Sequence, residues 1–129
     1  MTKYVLDSYA IIEYLEGTNL GEKVRSVIEK DENEVLISSL SVSEILSKGL
    51  RQEKDVIQIR KILLSMGKII DLNLEIAELG AEIHSKMKKE ISDFGLVDAL
   101  ILATARKSNA RLISGDKHFK NVKDVVYLE

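Results

Sequence analysis

The stretch Lys3-Tyr4-Val5-Leu6-Asp7-Ser8 decides the fold, because a short apolar run ends here abruptly at an acid. Its three apolar residues are consecutive, so both faces of the strand would be buried, as is typical of a central strand in a parallel sheet. Asp7 follows the carboxyl end of that strand and precedes a segment with helical periodicity. In open α/β sheets, ligands bind where the ends of strands meet the starts of helices. The stretch therefore predicts a functional site at Asp7.

The composition predicts one soluble globular domain spanning residues 1–129. Apolar residues make up 45% of the chain and charged residues 31%, and the longest apolar runs are far too short to cross a membrane. The N-terminus lacks the pattern of a secretory signal, and the absence of cysteine excludes disulfides and thiolate zinc sites. We therefore expect a cytoplasmic protein with no membrane partner. The net charge of -2 means that contact with nucleic acid would be local, through a basic rim or a metal ion.

Strand-like apolar runs alternate with helical periodicity along the whole chain. The predicted strands cover residues 4–6, 34–38, 68–71, 111–114 and 124–128, and the predicted helices cover 9–15, 20–30, 41–50, 53–66, 74–89 and 96–107. Gly17 is expected to end the first helix and Asn73 to cap the fifth. The alternation indicates a three-layer α/β/α domain with a parallel sheet.

Four acids fall where such a domain would bring them together. Asp7 and Asp116 follow strands, and Glu44 and Asp98 lie near the starts of helices. Four anions do not converge without compensation, because each raises the cost of ionising the others. Mg²⁺ takes oxygen ligands and keeps several of its waters. The set therefore predicts a magnesium site, at which one or two ions could activate a water and shield a phosphodiester.

Each acid also has a purely structural interpretation. Asp7 could be a helix N-cap, and Glu44 could complete a capping box that begins at Ser41. Asp98 could be a first-turn acid favoured by the helix dipole, although the apolar run around it makes an uncompensated carboxylate costly. Asp116 could be a polar turn residue. Only the shared geometry of the set favours function.

Other polar residues receive weaker assignments. We interpret His118 as a turn residue rather than a general base, and we give Asp93 no role. Basic residues flank three of the acids and could attract RNA phosphates if they rim the cleft, although a solvated surface also accounts for them. They are Lys48, Arg51, Lys54, Lys86, Lys88, Lys89, Lys117, His118 and Lys120.

Four motifs resemble the PIN domain, and most closely the VapC-type toxins of prokaryotic toxin–antitoxin pairs. They are Val5-Leu6-Asp7-Ser8, Ser43-Glu44-Ile45, Leu96-Val97-Asp98-Ala99-Leu100-Ile101-Leu102-Ala103-Thr104-Ala105 and Leu112-Ile113-Ser114-Gly115-Asp116-Lys117-His118-Phe119. The resemblance covers essentially the whole chain, and the last two motifs are the most specific.

The resemblance implies a five-stranded parallel sheet of order 3-2-1-4-5, with Asp7 and Asp116 as neighbours at the switch point. It implies an endoribonuclease that is a homodimer and is inhibited by a cognate antitoxin. Ser114 matches a hydroxyl position before the fourth acid, and we assign it, with Ser8, to holding water or substrate. The implied catalytic ligands of Mg²⁺ or Mn²⁺ are Asp7, Glu44, Asp98 and Asp116.

One alternative to the nuclease stays open. A phosphoaspartate enzyme of the haloacid-dehalogenase type would need a second acid where Tyr9 stands, and no glycine loop for phosphate is present. The alternative is a PIN-like module that binds RNA or a protein without cutting. The sequence also leaves open which RNA is cut, whether one or two metal ions bind, whether an antitoxin exists, and whether helix 20–30 or helix 53–66 forms the dimer interface.

Overall fold

The computed structural model describes residues 2–129, which form a doubly wound sheet with helices on both faces. The strands are β1 (Thr2–Leu6), β2 (Asn33–Ser38), β3 (Lys68–Ile70), β4 (Arg111–Ser114) and β5 (Val125–Tyr127). The α-helices are α1 (Ser8–Glu16), α2 (Asn19–Ile28), α3 (Ser39–Arg51), α4 (Val56–Met66), α5 (Leu74–Met87) and α6 (Leu96–Lys107), and a short 3-10 turn covers Lys117–Phe119.

All strands of the sheet are parallel, and their order is β3-β2-β1-β4-β5. The predicted fold and strand order are therefore confirmed. Val5 of β1 aligns with Leu36 of β2 on one side and with Leu112 of β4 on the other. The chain adds β2 and β3 on one side of β1 and then crosses to add β4 and β5 on the other. The switch point thus lies between the ends of β1 and β4.

Consecutive residues of β1 contribute to two cores, one on each face of the sheet. Val5 packs in the core that includes α5 and α6, and Leu6 packs in the core that includes helices α1 to α4. Both side chains are fully buried. The alternation of side chains along a strand accounts for this division. It fixes β1 at the centre of the molecule and places Asp7 at the end of the most enclosed strand.

Helix α3 begins two residues earlier than the pattern predicted. Ser38 is its N-cap, and the Ser38 hydroxyl accepts a hydrogen bond of 3.1 Å from the N–H of Leu40. The capping box from Ser41 to Glu44 is therefore wrong, because Ser41 already lies inside the helix and is buried. Glu44 is not needed to cap α3, so its structural interpretation loses its basis.

The remaining boundaries agree within three residues. Helix α4 begins at Val56 rather than at 53, because Asp55 caps it by accepting a hydrogen bond of 3.1 Å from the N–H of Gln58. Gly17 ends α1 with a φ of 67°, and Asn73 caps α5, as predicted. In the described residues no helix combines the length and apolar character that crossing a membrane requires.

Helix α6 has the predicted bounds, but its first turn is less buried than its composition suggested. Residues 99 and 101–105 are buried against the sheet. Leu96 and Val97 are 49% and 39% exposed, because the helix begins at the surface and only then enters the core. The first turn, which carries Asp98, therefore lies where a ligand can reach it.

Candidate metal centre

Asp7 is buried at the end of β1, between the start of α1 and the end of β4. The N–H of Ala10 donates to Asp7 Oδ1 over 2.8 Å, so the predicted capping role is correct. The hydroxyl of Ser114, at the end of β4, lies close enough to the Asp7 carboxyl to lower its pKa. Asp7 can cap α1 and face β4 at the same time, because the cap uses only one of its two carboxylate oxygens.

Asp116 lies beside Asp7 because β4 pairs with β1. The N–H of Asp7 donates to the carbonyl of Ile113 over 3.3 Å, which continues the ladder between the two strands. The N–H of Asp116 then donates to Ser114 Oγ over 3.0 Å. The Ser114 hydroxyl, which is fully buried, therefore holds the backbone of Asp116 and lies near the side chain of Asp7.

Asp98 and Glu44 approach the same edge from two helices. Asp98 lies in the first turn of α6, and Glu44 lies on α3, where the Ser8 hydroxyl donates to Glu44 Oε1 over 3.2 Å. Ser8 thus contacts the Glu44 carboxylate, and Ser114 contacts the backbone of Asp116. We call the four carboxylates, Asp7, Glu44, Asp98 and Asp116, the acid cluster.

The electrostatics of the acid cluster reflect burial and mutual repulsion. Burial raises the pKa of Asp7 to about 7, and the charges of Asp98 and Asp116 add to that increase. Burial likewise raises the pKa of Asp98 to about 6, with further contributions from Asp116 and Glu44. The pKa of Glu44 is raised by burial and partly lowered by its bond from Ser8. The neighbouring carboxylates therefore add to burial in disfavouring the ionised forms of Asp7 and Asp98.

His118 joins the site in a way that sequence reasoning missed. Its Nδ1 lies 2.6 Å from Asp116 Oδ1, and its Nε2 lies 3.0 Å from Asp93 Oδ2. Asp93 and Asp116 raise the pKa of His118. His118 is part of the 3-10 turn, as predicted, but no pattern connects it with Asp93, which lies in the loop between α5 and α6. One ligand atom each from Asp98, Asp116 and His118 lies within 4.8 Å of the others.

The residues of the acid cluster fit a divalent cation. Their donor atoms are carboxylate oxygens, which Mg²⁺ and Mn²⁺ prefer. Within residues 2–129 no lysine or arginine forms an ion pair with a member of the cluster. Among the described residues His118 is the basic side chain that contacts the cluster, and it lowers the pKa of Asp98 only in part. Burial and the repulsion between the acids still raise the pKa values of Asp7 and Asp98, and a bound cation would offset this cost.

The fold and the site define a class: a doubly wound α/β domain with clustered acids at its switch point. A family model of the PIN domain matches residues 4–125. The chain therefore belongs to the PIN domain family. This membership supports nuclease activity and the use of a divalent metal ion.

Several solved structures are similar to this chain over nearly its whole length. A toxin–antitoxin complex from Klebsiella pneumoniae matches with 24% identity and a TM-score of 0.78 over 98% of both chains. VapBC2 from Rickettsia felis, bound to a promoter DNA fragment, matches with 22% identity and a TM-score of 0.74 over 98% of this chain and 97% of that one. VapC20 of Mycobacterium tuberculosis, a toxin that cleaves the sarcin–ricin loop, matches with 14% identity and a TM-score of 0.72 over 93% and 95%. These likenesses show the shared fold. A comparison with curated protein sequences found no significant match.

Proposed function

We propose that the chain is a VapC-type endoribonuclease that hydrolyses RNA phosphodiesters with Mg²⁺ or Mn²⁺, and that it is the toxin of a toxin–antitoxin pair. The observation that carries the proposal is the convergence of four carboxylates at the switch point with no lysine or arginine paired to them in residues 2–129. A cluster with this charge is costly unless a cation offsets it.

The acid cluster supplies the ligands in this proposal. The ion, when bound, would supply a water of lowered pKa and positive charge that shields the phosphodiester. Ser114 holds the backbone of Asp116 beside the Asp7 carboxyl, and Ser8 orients Glu44. We therefore assign both serines to positioning ligands, through which they act on the water and the substrate.

An antitoxin partner is part of the same proposal. The structures from Klebsiella pneumoniae and Rickettsia felis are complexes of a toxin with its antitoxin, and both match nearly the full length of this chain. We propose that a small protein encoded beside this chain binds it and inhibits it. Co-expression of that neighbouring reading frame should yield a stable complex in which RNA cleavage is suppressed. Separate migration of the two proteins, with undiminished cleavage, would argue against an antitoxin.

The central experiment is RNA cleavage with and without a divalent metal. The purified chain should cleave single-stranded RNA in Mg²⁺ or Mn²⁺ and stop in excess chelator. Asp7→Asn is the matched control, because asparagine preserves the N-cap while removing the carboxylate. Equal cleavage in metal and in chelator, or full activity in the variant, would overturn the metal mechanism. Metal-independent RNA binding with no cleavage would favour the non-cleaving module instead.

A further inference from the structure

His118 lies between one acid of the cluster and one acid outside it. Its Nδ1 is 2.6 Å from Asp116 Oδ1, and its Nε2 is 3.0 Å from Asp93 Oδ2. The second contact is close enough for an ion pair, although it is not aligned as a good hydrogen bond. The His118 side chain is 17% exposed and that of Asp93 is 70% exposed. The imidazole therefore connects the solvent-facing Asp93 with the site.

Aromatic packing holds the imidazole in this orientation. The Phe94 ring meets the His118 ring edge-on, with centroids 6.3 Å apart and an angle of 80° between the planes. Phe94 also packs edge-on against Phe119, with centroids 5.8 Å apart, and both phenylalanines are buried. The carbonyl of Phe94 contacts His84 Nε2 at 3.1 Å, which fixes the loop from α5. Rotation of His118 away from Asp116 would disturb this packing.

The contacts of His118 determine how Asp116 presents its carboxylate. The backbone N–H of His118 donates to Asp116 Oδ1 over 2.9 Å, and the ring Nδ1 contacts the same oxygen. In the described residues both contacts fall on Oδ1, so the other carboxylate oxygen is left for a ligand. The Asp93 contact also ties the turn after β4 to the loop that leads into α6 and Asp98.

We propose that His118 and Asp93 are positioning residues that hold Asp116, relative to Asp98, in the geometry that binds a divalent cation. This inference rests on the proposed function. Groups that orient metal ligands from behind typically change metal affinity about 10- to 100-fold when they are removed. His118 is assigned to positioning rather than to metal binding, because both of its ring nitrogens already face carboxylates of the protein.

The test is calorimetric titration of the full-length chain with Mn²⁺ alone, together with melting temperatures in chelator. His118→Leu removes both contacts. His118→Asn places an amide N–H near the Nδ1 position and His118→Gln places one near Nε2, so the two variants restore different contacts. Asp93→Asn removes only the outer charge. Lys120→Ala is the matched control, because it changes an exposed side chain just beyond the same turn.

We expect His118→Leu to bind Mn²⁺ at least about 10-fold more weakly than the wild type, with little change in the metal-free melting temperature. His118→Asn should recover part of the affinity, His118→Gln should not, and Asp93→Asn should lie between the wild type and His118→Leu. Lys120→Ala should bind as the wild type does.

Three results would overturn the inference while the wild type still binds Mn²⁺: unchanged affinity in His118→Leu, equal affinities in His118→Asn and His118→Gln, or affinity losses that follow losses of metal-free stability. Unchanged affinity in Asp93→Asn alone would mean that Asp93 has no part in positioning. If His118→Leu does not fold, His118→Asn and Asp93→Asn decide the question. Failure of the wild type to bind Mn²⁺ would overturn the proposed function itself.

Discussion

Asp7 caps helix α1 with a carboxylate that burial makes costly to ionise. Its pKa is raised from 3.8 to about 7, so the folded protein holds this proton more tightly than the unfolded chain does. The same direction holds for Asp98 and Glu44. Without metal, each of these groups therefore makes the folded state less stable as the pH rises from the unfolded pKa towards the folded one.

The stability of the metal-free protein should consequently fall between about pH 4 and about pH 7. Asp7 alone contributes at most about 4 kcal/mol to this fall, since one pKa unit corresponds to about 1.4 kcal/mol. Asp7→Asn removes the titratable carboxyl group and keeps the N-cap. The stability of this variant should therefore decline less steeply with rising pH than that of the wild type. Urea unfolding in chelator at several pH values measures both slopes. The same dependence of stability on pH in both proteins would contradict the raised pKa of Asp7.

Asp98→Asn separates the functional from the structural interpretation of Asp98. The substitution removes one charge from the acid cluster, so metal-free stability should stay the same or rise, and cleavage should be lost. Mg²⁺ should raise the melting temperature of the wild type, because it binds the folded site, and that rise should shrink in the variant.

The structural interpretation of Asp98 gives the opposite outcome. A first-turn acid stabilises a helix by about 0.3–1 kcal/mol, so Asn would be mildly destabilising. Thermal melts of both proteins in Mg²⁺ and in chelator distinguish the two cases. If the variant melts lower in chelator and keeps the full Mg²⁺ shift, Asp98 is a helix-terminus residue and not a metal ligand.

At the scale of elements, α1 and α2 approach so closely that one glycine sets their distance. A β-carbon at Gly21 would overlap the carbonyl oxygen of Glu13 and lie 2.7 Å from its carbonyl carbon. These are backbone atoms of α1, which cannot move aside as the end of a side chain can. Asp7 is the N-cap of α1, so the packing of α2 also supports the helix that follows the first acid.

Gly21→Ala should therefore destabilise the protein although alanine is the better helix former. The propensity gain is about 1 kcal/mol, and overpacking against backbone typically costs about 1–3 kcal/mol, so a net loss is expected. Ser26→Ala, at an exposed position of the same helix, is the matched control and should be neutral or slightly stabilising. Chemical denaturation in chelator compares the two. Stabilisation by Gly21→Ala would mean that the helices can separate at little cost.

The elements also show which structural features the sequence could predict. Both bounds of α6 and β4 followed from apolar runs between clear turn signals. The start of α3 was missed because Ser38 and Ser41 are both good caps, and Glu44 made the wrong serine fit a capping box. The contact of His118 with Asp93 depends on the conformation of two loops, which no local pattern encodes.

At the scale of the whole molecule, exposed apolar residues on α4 indicate self-association. Ile57 and Leu64, seven residues apart and so on one face of the helix, are 69% and 50% exposed. Helix α2, the other helix considered, carries no large exposed apolar side chain among the described residues. Apolar side chains exposed together on one helix face fit an interface between two copies, so we expect a homodimer through α4.

Light scattering at micromolar concentration should give the mass of a dimer. Leu64→Glu places a charge in the expected interface and should shift the mass towards the monomer, whereas Ser26→Glu on α2 should leave the dimer intact. A monomeric wild type would exclude self-association at that concentration. If only Ser26→Glu dissociates the dimer, the interface lies on α2 instead.

The pairing of β1 with β4 has a consequence for the synthesis of the protein on the ribosome. The sheet has no hairpin, and its first strand stays without one neighbour until residues 111–113 have been translated. The acid cluster likewise joins the seventh residue to the one hundred and sixteenth. A nascent chain that has not yet reached residue 116, or one that terminates before it, therefore lacks part of the acid cluster.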